Sequence, residues 1–276
     1  MAQLTRRAFI GCGAIAGAGA VGAYVLGTTV RRPRATAHPA PATSGANTFL
    51  SEARGGVSTR WAIARPPGRG GPLRPVIALH GRGSNLDETM SADFPDRLDE
   101  IVKAGLPPFA VVGVDGGDNF WHKRANGDDP GAMVLNELIP MLAGQGLDTS
   151  RVGFLGWSMG GYGALLLGAR LGRARTAAIC AVSPALWTSP ETVPEGAFDG
   201  PEDYAANSVW GQRSLASIPI RIDCGESDGF AAATRAFIAQ LPNGAAGGLS
   251  PGGHGPAFWN PLMQDELAWL APLMAR

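Results

Sequence analysis

Two short stretches of this chain carry residue types suited to nucleophilic chemistry. "GWSMG" sets Ser158 between Gly156 and Gly160, and "GESDG" sets Ser227 between Gly225 and Gly229. A Gly-x-Ser-x-Gly turn at a strand end exposes a serine hydroxyl, and its small residues let the strand and the following helix pass closely. The hydroxyl becomes a useful nucleophile only when a histidine takes its proton, and that histidine needs a carboxylate to hold it. In a chain with 40 glycines one pentapeptide carries little weight, so the partners must decide.

Chain order separates the two serines. In strand–turn–helix folds of this kind the nucleophile is followed by the acid and then the histidine. Ser158 has that sequel: Asp228 follows a later apolar run, and His254 lies in "SPGGHGPAFW". Between Ser227 and His254 the sole carboxylate is Asp228, its immediate neighbour, whose side chain would point elsewhere. Ser158 is the expected nucleophile, and the second match is expected to be the loop that carries the acid. Asp223, Glu226 and Asp228 compete for that role. Asp223 falls inside an apolar run and Glu226 in the turn, whereas Asp228 lies past it with room to reach across. Of the four histidines, His38 is in a linker, His80 closes "PVIALH", His122 is in a loop, and His254 alone follows both serine and acid. The His80–Gly81 pair has another use, opening the loop that donates an oxyanion-hole amide. The expected donors are the backbone N–H groups of Met159 and of Arg82 (or Gly81), each worth on the order of 3 kcal/mol in the transition state.

Those side chains need a frame. "WAIA" (61–64), "PVIALH" (75–80), "FAVVGVD" (109–115), "RVGFLGW" (151–157), "TAAICAVS" (176–183) and "IPIRIDC" (218–224) read as strands. Helical patterns fall over 91–105, 131–144, the run after Ser158, Phe230 to Leu241, and about Phe258 to Leu273. Strands alternating with helices of this length predict an α/β fold with a mostly parallel central sheet and helices on both faces. Two connections stand out. "DGGDNFWHKRANGDDPG" (115–131) is read as a substrate-lining loop with Trp121 and His122 as pocket residues. A calcium set of Asp115, Asp118, Asp128 and Asp129 is the alternative. Its spacing lacks the regular ligand ladder, so no metal and no cofactor is expected. The long proline-rich run over 184–217, with Trp187 and Trp210, belongs beside the carboxyl ends of the strands. His80 and Trp187 join the expected substrate-binding residues.

The 276 residues are 45% hydrophobic and 17% charged with zero formal net charge, which fits one large α/β domain. No basic stripe with interleaved aromatics occurs, so nucleic acid is not an expected partner. Arg6 and Arg7 precede a stretch without charge until Arg31, the layout of an export signal. "TRRAFI" with a Gly/Ala-rich middle resembles a twin-arginine signal of bacteria, with cleavage after "ATA" at Ala35–Ala37. The expected division is signal 1–37, linker 38–56 and catalytic domain 57–276. An uncleaved anchor is the alternative, although many glycines make a poor span. Cys12 falls inside the signal, and Cys180 and Cys224, each in an apolar run, are expected as buried free thiols.

"LHGRGSN", "DGGDNFW", "NELIPML", "GWSMGGYGALLL", "AVSPALW", "CGESDGF" and "GGHGPAFWN" together resemble the esterase D-like ("putative esterase") branch of the α/β-hydrolases. That branch includes S-formylglutathione hydrolases and exported mycobacterial mycolyltransferases. The likeness runs from about Val57 to the C-terminus. It implies an α/β-hydrolase fold with Ser158 as nucleophile, Asp228 as acid and His254 as base. Met159 and the His80–Gly83 loop would form the oxyanion hole. The expected function is an exported serine esterase, secreted or associated with the cell envelope, acting on a small-molecule or lipid ester through an acyl-enzyme. The alternatives are an acyltransferase using the same triad and a non-catalytic hydrolase-fold binding protein. An intact serine, acid and histidine in order argue against the last. Export departs from formylglutathione chemistry, which is cytosolic, and no long apolar groove commits the chain to mycolic acids.

Overall fold

The computed structural model describes residues 45–69 and 71–276; the expected signal, with Cys12 and its cleavage site, lies outside the described residues. In chain order the elements are β1 (Asn47–Ser51), β2 (Val57–Ala64), β3 (Pro75–Leu79), α1 (Leu86–Met90), α2 (Phe94–Lys103) and β4 (Ala110–Val114). Then come α3 (Pro130–Ala132), a wide helical turn (Met133–Leu138) and α4 (Ile139–Ala143), which run on without a break. The second half holds β5 (Val152–Trp157), α5 (Met159–Leu171), β6 (Thr176–Val182), α6 (Pro201–Asn207), β7 (Ile220–Gly225), α7 (Ala231–Gln240), β8 (Ala246–Ser250) and α8 (Pro256–Met274).

Among the described residues these strands form one eight-stranded sheet, in the order β1-β2-β4-β3-β5-β6-β7-β8. β1 pairs antiparallel with β2 and β2 with β4, while every pair from β4 to β8 is parallel. All residues of β3, β4, β5 and β6 are buried, because helices cover both faces of the sheet. Side chains alternate along each strand, so one apolar run feeds two cores. Val76, Ala78, Leu155 and Cys180 pack with Leu98 of α2 and Leu267 of α8. Ile77, Leu79, Phe154 and Ile179 pack with Leu138, Leu165 of α5 and Phe237 of α7.

Six strands fall where the apolar runs place them, and two do not. β1 lies inside the stretch expected as linker, so the sheet begins before residue 57. It is an edge strand with little apolar signal, fastened by Glu137, whose carboxylate accepts from the Ser51 hydroxyl (2.6 Å) and the Ala53 N–H (2.8 Å). β8, "AGGLS", has no periodicity because its glycines serve the backbone. Gly247 has φ 78°, and a Cβ there would stand 2.5 Å from Asp223 Oδ1. Cys180 and Cys224 are buried and free.

Candidate active site

Ser158 sits on the turn between β5 and α5 with φ 55° and ψ −117°, a region that costs a non-glycine residue about 1–3 kcal/mol and persists only where the surroundings impose it. They do. The Ser158 N–H donates to Val182 O at 2.9 Å, and its carbonyl accepts from Tyr162 and Ala185, each at 3.0 Å. The flanking glycines are sterically required: a Cβ on Gly156 would stand 2.2 Å from Gly160 O, and one on Gly160 1.9 Å from Leu79 O. The hydroxyl is thus lifted from the sheet end while α5 crosses directly behind it.

Asp228 and His254 arrive on two loops zipped together. After β7 the Glu226 N–H donates to Ser250 O (2.8 Å) and the Ser227 N–H to Gly252 O (2.9 Å), joining the "GESDG" turn to the loop that follows β8. A Cβ on Gly225 would stand 2.4 Å from Gly252 O, and one on Gly252 would stand 2.4 Å from the Phe258 ring, so both loops need glycine here. Asp228, buried, accepts from the Phe230 N–H at Oδ1 (2.9 Å) and from His254 Nδ1 at Oδ2 (2.8 Å). His254 Nε2 lies 2.9 Å from Ser158 Oγ. Burial pushes the Asp228 carboxyl up, but hydrogen bonds from His254, Phe230 N–H and Ser183 outweigh it and hold the group below the usual carboxylate range. A carboxylate at Nδ1 keeps the imidazole proton there and leaves the Nε2 lone pair facing the serine hydroxyl. The rings of Phe230 and Trp259 stand edge-on to His254 at 5.4 and 5.2 Å, and the Trp259 indole N–H donates to Ser183 Oγ at 3.0 Å.

The competing residues are placed elsewhere. Ser227 and Glu226 are exposed on the clamp between the loops. Asp223 is paired with Arg221, Oδ2 to Nε at 2.6 Å.

Beside the serine, a Cβ on Gly81 would stand 3.6 Å from the Ser158 Cβ and 3.4 Å from Trp157 O, so the His80–Gly83 loop passes against Ser158. The loop is tied down at both ends. His80 Nε2 accepts from the Gly116 N–H (2.9 Å), while its Nδ1 donates to Gly81 O (2.8 Å); Asp118 Oδ1 accepts from the Gly83 N–H (2.7 Å). Burial holds His80 below the ordinary imidazole range, so it stays neutral. Met159 N–H, in the first turn of α5, has no intrahelical acceptor. Met159 follows the serine directly in the chain, and Arg82 lines the same cleft as Ser158.

A cleft of about 650 Å³ opens from Ser158 and His254, between the segment that follows Gly81 and the start of α8, with Trp157, Arg97, Trp259 and Met263 in its wall. Of the residues expected to bind substrate, His80 lines this cleft and three do not. Trp121 is fully buried beneath His80 (ring centroids 5.1 Å apart), in a hollow where a Cβ on Gly116 or Gly163 would stand 2.4 Å from its ring. His122 is fully buried and stacked on Phe198 at 4.8 Å. Trp187 packs against Phe120 and Phe230, and its carbonyl accepts from the Tyr204 hydroxyl (2.6 Å) and the Trp210 indole (2.7 Å). These are aromatic core residues, because the 115–131 and 184–217 segments pack onto the α5 side of the sheet instead of over the serine. The four acids of the calcium alternative also diverge. Asp115 and Asp118 accept from the Leu86 and Gly83 amides, Asp128 pairs with Arg54, and Asp129 caps α3. Sequence reasoning missed Ser183, Trp259 and the cleft wall from Arg97. The first two were visible inside "AVSPALW" and "GGHGPAFWN", whereas Arg97 left no signal.

An eight-stranded, mostly parallel sheet with a serine on a strained strand–helix turn defines the α/β-hydrolase fold. Residues 56–270 match the family model described as "Putative esterase", so the chain belongs to that family of carboxylic ester hydrolases. Solved structures with the same fold include a ferulic acid esterase (TM-score 0.70, 18% identity, covering 83% of this chain and 98% of that one). An S-formylglutathione hydrolase from Agrobacterium tumefaciens is similar at TM-score 0.64 and 19% identity, over 83% of this chain and 95% of that one. The S-formylglutathione hydrolase of Staphylococcus aureus gives 0.65 and 18%, over 82% and 98%. No curated protein sequence matches the chain.

Proposed function

We propose that the protein is an exported serine esterase that cleaves small-molecule carboxylic esters through an acyl-enzyme on Ser158. The observation that carries this is the continuous relay from Asp228 Oδ2 through His254 to Ser158 Oγ, with contacts of 2.8 and 2.9 Å. Ser158 attacks the ester carbonyl as its proton passes to His254 Nε2, and Asp228 stabilises the imidazolium. The negative charge on the tetrahedral oxygen is met by the N–H groups of Met159 and Arg82. The imidazolium then protonates the departing alcohol, and a water activated by the same nitrogen releases the acid and frees the serine. The cleft of about 650 Å³ falls in the range of small-molecule sites. Its mixed wall, with two indoles beside charged residues, fits a compact acyl or alcohol group better than a long lipid chain. Export rests on Arg6, Arg7 and the uncharged stretch that follows.

The test is turnover of p-nitrophenyl esters of graded acyl length by residues 38–276. Ser158→Ala is expected to abolish turnover without changing the melting temperature, and Ser227→Ala to retain most of it. Turnover surviving in Ser158→Ala sinks the nucleophile; complete loss in Ser227→Ala sinks the division of roles between the two turns.

A further inference from the structure

On the α8 side of the sheet, away from the serine relay, three metal-ligating side chains converge from three different elements. Cys180 of β6, Asp223 of β7 and Glu266 of α8 bring a thiol sulfur and two carboxylate oxygens within 4.8 Å of one another. Their exposures are 0%, 5% and 0%. The register explains the convergence: Cys180 pairs with Arg221 and Val182 with Asp223, so residues 180, 221 and 223 share the face that α8 covers. Glu266 is the anomaly. Both of its carboxylate oxygens are buried without a hydrogen-bond partner. Buried polar groups are nearly always satisfied, and a carboxyl group orphaned at both oxygens beside two other ligating side chains has a bound ion as one physical cause.

We propose that Cys180, Asp223 and Glu266 bind one divalent transition-metal ion of the zinc class, which fastens α8 to β6 and β7. One sulfur and two carboxylates suit zinc or cobalt, whereas calcium and magnesium take oxygen ligands alone. The charges balance. Arg221 neutralises Asp223 through two contacts, Nε to Oδ2 at 2.6 Å and Nη2 to Oδ1 at 3.3 Å. That leaves a thiolate and the Glu266 carboxylate to match a 2+ ion. Zinc bond lengths of about 2.0–2.3 Å require the donors to close to roughly 3.5 Å. The Glu266 carboxylate can supply that movement, since no hydrogen bond holds it. Burial, with the nearby Asp223 charge adding to it, pushes the Glu266 carboxyl up to about 8, and burial raises the Cys180 thiol well above its ordinary value. Metal binding reverses both by displacing the two protons. The site is distinct from the relay but mechanically linked to it, because α8 also carries Trp259 against His254.

The full chain, produced untagged in medium supplied with Co²⁺ alone or Zn²⁺ alone, tests this. The expected result is about one metal per chain by elemental analysis, as one composed site requires. The cobalt form should show a thiolate-to-Co²⁺ charge-transfer band in the near ultraviolet, and the metal-loaded protein should melt higher than protein stripped with a strong chelator. Cys180→Ser should lose the band, and Glu266→Gln should lose the metal while keeping a wild-type circular dichroism spectrum. The wild-type spectrum stands as a test even if a variant fails to fold. A wild-type protein without the band overturns the proposal, as does metal retained by Cys180→Ser. So does a metal-free wild type that Glu266→Gln stabilises, since that outcome marks a buried carboxyl with no ion to hold.

Discussion

Replacing Asp228 by asparagine keeps the shape of the side chain and reverses one contact. Oδ1 of Asp228 accepts from the Phe230 N–H at 2.9 Å, and a backbone N–H can only donate. The asparagine carbonyl must therefore stay at that position, which turns its NH₂ toward His254 Nδ1, where Oδ2 now accepts at 2.8 Å. Two donors cannot share that contact. The imidazole shifts its proton to Nε2, which then faces Ser158 Oγ with an N–H instead of a lone pair, and the serine has no base. A wrong tautomer in this type of relay costs about 10⁴ in kcat, or about 5.4 kcal/mol at 1.36 kcal/mol per decade. Loss of a charged hydrogen bond without a tautomer change would cost only about 1.5–3 kcal/mol, roughly 10- to 150-fold. The two accounts differ by about two decades at the central estimates, which a turnover measurement resolves. The assay is hydrolysis of p-nitrophenyl acetate at neutral pH by Asp228→Asn, with Ser158→Ala as the floor and a melting curve as the check on folding. A folded Asp228→Asn protein within about a hundredfold of the parent refutes the tautomer account. Asp223→Asn is expected to retain turnover within about tenfold, because its carboxylate is engaged by Arg221 and makes no contact with His254.

The turn itself should be as demanding as the relay. Gly160→Ala puts a Cβ 1.9 Å from Leu79 O and 2.8 Å from His80 O, both backbone atoms. A loss of more than about 3 kcal/mol is expected, read by chemical denaturation, and wild-type stability in this variant would contradict the close crossing. His80 gives a pH dependence of stability. Burial lowers its folded value below the unfolded 6.5, so the unfolded chain binds the extra proton below that pH. Its stabilising contribution is full well above 6.5 and is lost progressively as pH drops through 6.5 toward the folded value. Urea midpoints at pH 7.5, 6.5 and 5.5 should fall less steeply in His80→Asn than in the parent; equal slopes would remove His80 as the cause. Lysines at Arg6 and Arg7 should strand the chain in the cytoplasm of a twin-arginine-competent host, and undiminished export would exclude that route.

The parts legible in the sequence are those where one physical demand acts on a contiguous run. Strands buried on both faces must be apolar throughout, and β3 to β6 read directly as such. The serine turn needs glycine two residues either side for steric reasons that act locally, so "GWSMG" declares itself. Chain order then picks His254 and Asp228, because the fold threads nucleophile, acid and base through successive strand ends. What the sequence hides is direction. Trp121, His122 and Trp187 sit in loops next to strand ends, where ligands commonly bind, and their size and polarity suit a pocket. Whether such a loop turns over the serine or down onto α5 depends on glycines far away in sequence. Gly163 of α5 makes the hollow for Trp121, and no local pattern around Trp121 records it.

The same distinction accounts for the second G-x-S-x-G. Its glycines are also sterically required, but what crowds Gly225 is the backbone of Gly252, on the histidine loop, instead of its own following helix. A crossing of two loops and a crossing of strand and helix impose the same residue pattern, since each needs backbone to approach backbone. The motif reports close approach, and only the partners within reach of the hydroxyl turn it into chemistry. Ser158 has His254 at 2.9 Å, whereas the backbone N–H of Ser227 is spent holding the loop that delivers that histidine.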